Sequence, residues 1–184
     1  MRIIAGTARR VGLETPKNLA TRPFLEMARG ALFNSLGGLV AGARALDLFA
    51  GSGALGLEAL SRGAASCLFV ERDRAAFAAL RRNIEACRLG DRAVSRLDEV
   101  ENFLAGDAGN YNLVFADPPF SEAGEWLAGR QAGNAGAAMA RLIEAGGILI
   151  LRLESGEAPP EWPDFQPAGV RRYGRSLLCR YLKS

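Results

Sequence analysis

The sequence predicts an α/β fold: a mostly parallel seven-stranded sheet covered by helices on both faces, with an antiparallel hairpin at one edge. Three observations predict it. Short, near-continuous apolar runs alternate with helical spacing from 43 to 153, as expected of strands buried on both faces. A glycine-rich turn follows the first run, and a double proline follows the fourth. The last two strand-like stretches, 165–173 and 176–182, are joined by a short connection that suits an antiparallel pair.

Taken in order, residues 2–15 alternate weakly, with Gly6 and Gly12 as turn points, and read as a short hairpin. Residues 24–36 follow Pro23 and carry Met27, Ala28, Ala31, Leu32 and Leu36 at helical spacing; Gly37-Gly38 ends that helix. The first strand is 43–49. A helix over 55–61 stops before Gly63, and the second strand is 66–71. Residues 74–87 form an amphipathic helix, with Phe77, Leu80 and Ile84 on one side and Arg81, Arg82 and Glu85 on the other. A third strand (92–97), a short helix (99–105) and a fourth strand (112–117) come next. A glycine-containing helical region, 122–144, precedes the fifth strand, 147–153, and the edge hairpin lies beyond Pro159-Pro160. The implied organisation is a basic N-terminal extension, 1–38, followed by one domain, 39–184.

Composition narrows the chemistry. With 184 residues, 49% hydrophobic and 23% charged, the chain can bury one substantial core. No apolar run reaches the roughly 18 residues that span a bilayer, and the N-terminus lacks the apolar stretch of a signal peptide. A cytoplasmic monomer is the expectation. Cys67, Cys87 and Cys179 are scattered and form no disulfide pattern. The chain has no histidine, which removes the commonest general base and metal ligand. No metal is expected. Net charge is only +3 but uneven. Arg2, Arg9, Arg10, Lys17, Arg22 and Arg29 crowd the start, and Arg171, Arg172, Arg175, Arg180 and Lys183 the end. Localised basic surface is the footprint of a polyanion.

Two motifs carry the chemistry. Asp117-Pro118-Pro119-Phe120 stops the fourth strand abruptly, because proline has no N–H for the ladder and restricts its predecessor. An acceptor beside a flat ring suits a planar amine, such as the exocyclic NH2 of a nucleobase. The second motif, Asp47 to Gly56, is a glycine loop between the first strand and its helix, where open α/β sheets bind ligands. Gly51-Ser52-Gly53-Ala54-Leu55-Gly56 also fits the dinucleotide fingerprint, with Glu71 at the ribose-binding distance, so a nicotinamide dehydrogenase competes. Asp47 argues against it, since an acid there would oppose a pyrophosphate and suits a cation. S-Adenosylmethionine accounts for more: Asp47 for its cationic part, Glu71 for the ribose hydroxyls, and Asp98 or Glu99 for the adenine amine.

The opening Met1-Arg2-Ile3-Ile4-Ala5-Gly6, then Arg22-Pro23, Arg29 and Ala31-Leu32-Phe33-Asn34, carry a family resemblance. So do Asp47, the stretch from Phe49 to Ala64, Glu71 with Asp73-Arg74, and the Asp117 tetrapeptide. Over nearly its whole length the chain resembles the RsmD-type family of 16S ribosomal RNA guanine-N2 methyltransferases, of the class I S-adenosylmethionine-dependent group. The resemblance implies a Rossmann-like methyltransferase sheet, S-adenosylmethionine as cofactor, and 16S ribosomal RNA or an assembling small subunit as partner. It implies that Asp117, Pro118, Pro119 and Phe120 hold the target base. The cofactor would be held by Asp47, Phe49, Ala50, Gly51, Ser52, Gly53, Glu71, Arg72 and Asp98 or Glu99. Arg9, Arg10, Arg22 and Arg29 are the candidate RNA contacts; for Arg22 and Arg29 a structural pairing with acids is the alternative. Phe24, Met27 and Gly30 depart from the family pattern. Adenine-N6 methylation, and a non-catalytic RNA-binding assembly factor on this fold, are the competing functions.

Overall fold

The computed structural model describes residues 1–16, 23–106, 109–127 and 135–184. Seven strands form one sheet: β1 (Arg44–Leu48), β2 (Ser66–Glu71), β3 (Ala93–Leu97), β4 (Tyr111–Ala116), β5 (Ile143–Glu154), β6 (Phe165–Tyr173) and β7 (Ser176–Lys183). Their order is β3-β2-β1-β4-β5-β7-β6. The first five run parallel, and β7 pairs antiparallel with both β5 and β6. The order reverses between β1 and β4, and ligands bind at such a switch point, beyond the carboxyl ends of the strands.

Pleating sorts the residues of each strand between two cores. Ala45, Cys67, Phe69, Leu113, Phe115, Ile148 and Ile150 share one core with Leu57, Leu60 and Leu80 of helices α2 (Ala54–Ser61) and α3 (Arg74–Cys87). Leu46, Leu48, Val70, Val114, Ala116, Leu149 and Leu151 face α4 (Val100–Gly106) and α6 (Ala135–Leu142), together with Trp126 of α5 (Phe120–Leu127). Helix α3 opens on Asp73, whose side chain accepts the Ala76 N–H at 2.8 Å.

The N-terminal residues do form a hairpin. Arg2 bridges Gly12, Ile3 N–H donates to Val11 O at 3.0 Å, and Arg10 N–H donates to Ile3 O at 2.9 Å. Helix α1 (Pro23–Leu36) follows, and Leu32, Phe33 and Leu36 join the α2–α3 core with Ile3 and Leu13. The described hairpin and α1 therefore share a core with the sheet.

Helix α1 ends at Gly37-Gly38, as its spacing predicts, where the chain tightens into a 3₁₀ turn, Gly37–Val40, that buries Val40. Two elements differ from the sequence reading. Of the helical region 122–144, the described residues form α5 and α6, and α5 starts at Phe120, directly behind the prolines. Strand β5 begins at Ile143, pairing with Tyr111 across an irregularity before regular register resumes at Leu113 and Ile148.

Candidate active site

The site follows from register. Leu48 pairs with Val70 and Ala116, and Ala116 with Leu151. The residues just beyond this row are Phe49, Glu71, Asp117 and Arg152, which therefore stand together at the carboxyl edge of the sheet. Asp47, Glu71, Asp117 and Arg152 also fall on the α2–α3 face by alternation. Glu71, Asp117 and Arg152 rim a cavity of about 890 Å³ that runs from the glycine loop to the β6–β7 turn, where Gly174, Arg175 and Ser176 line it. That size suits a small-molecule site.

Three residues of the glycine loop have positive φ: Phe49 (59°), Gly51 (56°) and Gly53 (83°). For Phe49 this is strained backbone, which concentrates at functional sites; its ring is held edge-on against Trp126 at 5.3 Å. The glycines have different reasons. A Cβ on Gly51 would meet open space, and Gly51 lines the cavity. A Cβ on Gly53 would stand 2.4 Å from Leu80 Cδ1, and one on Gly56 2.3 Å from the Phe69 ring. Gly53 does not line the cavity; it and Gly56 let α2 sit close to its neighbours. Phe49, Ala50, Gly51, Ser52, Glu71 and Arg72 do line it.

Glu71 sets the loop's shape. Its two oxygens accept Gly51 N–H at 2.6 Å and Asp73 N–H at 2.7 Å. Asp47 lies one row inside the sheet, 1% exposed and behind the cavity wall, with Oδ2 accepting the Gly56 N–H at 2.8 Å. Burial pushes its carboxyl well above the usual aspartate range; Asp117 and Glu71 push the same way, and the Gly56 N–H opposes them. Asp98 accepts from Glu99 N–H at 2.9 Å and pairs with Arg96 at 3.0 Å. Glu99 pairs with Arg72 at 3.4 Å, and Arg72 also holds Glu122 at 2.5 Å. Neither Asp98 nor Glu99 lines the cavity, but Val100, the next residue, does.

At the other end, Asp117 is half-buried and Pro118 buried. Desolvation raises the Asp117 carboxyl above its usual range, although Arg152 pulls it down by charge and hydrogen bond. Arg152 is the site residue that sequence reasoning missed. Its Nε donates to Asp117 Oδ1, and its guanidinium carbon lies 4.6 Å from the Phe120 ring centre. A single cation within the apolar run Ile148-Leu149-Ile150-Leu151-Arg152-Leu153 was the available signal.

The basic candidates separate. Arg9 and Arg10 are exposed on the hairpin. Arg22 lies outside the described residues. Arg29 does not sit on the surface as an RNA contact requires: it is 4% exposed, donates to Arg2 O, and stands 3.7 Å from Glu58. Its alternative, a structural pairing, describes it better. Met27, one of the departures from the family pattern, is 71% exposed.

A family model described as Conserved hypothetical protein 95 matches residues 1–182. The chain belongs to this family. The RsmD-type resemblance of the sequence accords with it. The chain is 42% identical over 120 residues to ribosomal RNA small subunit methyltransferase D of Escherichia coli K12. That match covers 65% of this chain and 60% of the relative's length. The Haemophilus influenzae protein of the same name is 33% identical over 123 residues, with 65% and 64% covered. Among solved structures, the candidate methyltransferase yhhF of Escherichia coli superposes with a TM-score of 0.81 at 31% identity, covering 100% of this chain and 98% of its own. A hypothetical protein of Thermus thermophilus gives the same TM-score and identity, with 100% and 99% covered. The architecture is the class I methyltransferase fold.

Proposed function

We propose that this protein transfers a methyl group from S-adenosylmethionine to the exocyclic N2 of a guanine in small-subunit ribosomal RNA. The observation that carries the reading is the convergence, along one row of strand ends, of the glycine loop, Glu71 and the Asp117 tetrapeptide around one cavity. The family relatives named for small-subunit ribosomal RNA methylation support the substrate class.

The residues fit the cofactor. Gly51 leaves space where any other side chain would project. Asp47 enters no ion pair among the described residues, and an ammonium or sulfonium in front of the loop would favour its ionised form. Glu71 stands where ribose hydroxyls would meet its carboxylate, and Val70 and Val100 offer apolar walls for a purine. When bound, S-adenosylmethionine supplies a methyl on a positively charged sulfur, and the bond to N2 forms as the bond to sulfur breaks.

The protein's own task is to prepare the amine, whose lone pair is delocalised into the base. Asp117 and the Pro118 carbonyl accept its N–H groups, favour a more tetrahedral nitrogen and aim the lone pair; Phe120 stacks on the ring. Positioning of this kind is worth several kcal/mol, and a carboxylate beside nitrogen as it turns cationic adds more. The product nitrogen is acidic, so Asp117 or water can take its proton. The target base must be splayed out of its helix to reach the cavity. Exposed Arg9 and Arg10 would meet phosphate, with the protein acting as a cytoplasmic monomer.

Asp117→Ala tests the assignment. Turnover on small subunits from cells lacking this protein should fall by about 10²-fold or more, with S-adenosylhomocysteine affinity within about threefold of wild type by calorimetry. Near-normal turnover would remove Asp117 from the reaction.

A further inference from the structure

The proposed reaction does not use Arg152, yet Arg152 sits on the groups that reaction needs. Register places it beside Asp117, and the pleat puts both on one face. Three contacts define it. Nε donates to Asp117 Oδ1, the guanidinium lies over Phe120 at 4.6 Å, and Nη1 reaches Ser176 Oγ at 3.4 Å. A flat array of N–H donors thus rests against an aromatic ring, with one N–H on a carboxylate.

The same words describe the N1–C2–N2 edge of guanine, where one carbon bears a ring N–H and an NH2. Guanine carries a guanidine unit within its ring. We propose that Arg152 occupies the position of the acceptor base in the resting protein and must yield it to the incoming guanine, so that this β5 arginine sets access and base preference at Asp117. The proposal rests on the guanine-N2 reading. Asp117 Oδ1 cannot hold the arginine and an amine at full strength together, and the covered face of Phe120 cannot also stack a base. Guanine returns what is displaced: N1–H and N2–H for the carboxylate, and a ring for the phenylalanine. Adenine carries its NH2 on C6, beside a ring N1 that has no N–H, and so replaces less.

Arg152→Met tests this, since methionine fills similar space without donors. Small subunits from cells lacking this protein are the probe, with S-adenosylhomocysteine present for binding and S-adenosylmethionine for turnover. Removing an internal competitor raises apparent affinity by the inverse of the open fraction, so Kd and KM should both fall by about threefold or more. By mass spectrometry of the RNA, the ratio of N6-methyladenosine to N2-methylguanosine should rise. A phosphate-binding or merely structural arginine gives the opposite sign, with weaker binding and lost turnover. Unchanged or raised Kd and KM overturn the proposal. Should Arg152→Met fail to fold, Arg152→Lys keeps the ion pair but cannot lie flat on Phe120; it too should lower KM, and an unchanged value counts against the proposal. Wild-type protein that forms no N2-methylguanosine overturns the reaction assignment as well, an outcome distinct from an unchanged KM in a working enzyme.

Discussion

Asp47 shows what one residue at this site costs. Its buried carboxyl titrates above the usual aspartate range, chiefly from desolvation. A carboxyl whose pKa is raised on folding stabilises the fold below its unfolded pKa, and that contribution is lost as pH rises through the folded value. Above the unfolded pKa this group therefore subtracts from stability. Asp47→Asn keeps an oxygen for the Gly56 N–H and removes the charge. Its melting temperature should equal or exceed wild type at about pH 8, with a flatter dependence from about pH 5 upward. S-Adenosylmethionine affinity should fall about tenfold, as for loss of one charge attraction across the loop. An unchanged affinity would make Asp47 a loop fastener only. Such residues differ in how well they can be read beforehand. Asp47, Glu71 and Asp117 are legible because strand ends and turn residues mark them in the chain. Arg152 was not, because its meaning comes from pairing with β4, a neighbour remote in sequence.

Among the elements, β2 and α3 have the bounds that apolar spacing assigns, since both are local patterns closed by turn and cap residues. The span 122–144 is legible as a helical region, but the start of α5 at Phe120 is not, because periodicity reports that a helix exists, not where it begins. The early start of β5 depends on a partner strand, which local sequence does not display. The glycine loop and α2 divide their labour in a measurable way. Gly56→Ala drives a Cβ into Phe69 and Cys67, and overpacking of that kind costs about 1–3 kcal/mol. Gly51→Ala meets no neighbour but keeps a φ of 56°, a strain of about 1–2 kcal/mol. Chemical denaturation should therefore show the larger loss for Gly56→Ala. Calorimetry should show the larger loss of S-adenosylmethionine affinity for Gly51→Ala. The reverse order would mean that Gly51 does not face the cofactor.

Across the whole molecule, the N-terminal hairpin is fastened by a fully buried acid on α2. Glu58 accepts Ile4 N–H at 2.8 Å and Ala5 N–H at 3.1 Å, pairs with Arg62 at 2.7 Å and faces Arg29. Ser61, one turn on, accepts the Ala8 N–H at 3.0 Å. Glu58→Ala strips a buried cation of its partner and should cost about 3–5 kcal/mol in urea unfolding; a loss below about 1 kcal/mol would show the hairpin to be independently held. If the hairpin grips RNA, the double variant Arg9→Ala/Arg10→Gln should weaken binding and lower the salt slope by about one per residue removed. An unaltered slope would exclude that surface. The same helix, α2, begins at the ligand loop and ends at the Ser61 clasp. A grip on RNA and a point of reaction fastened to one short rigid rod are held at a fixed reach from each other. A protein so built can choose its nucleotide with a caliper, by how far it lies from a phosphate handhold, and need not spell out the bases around it.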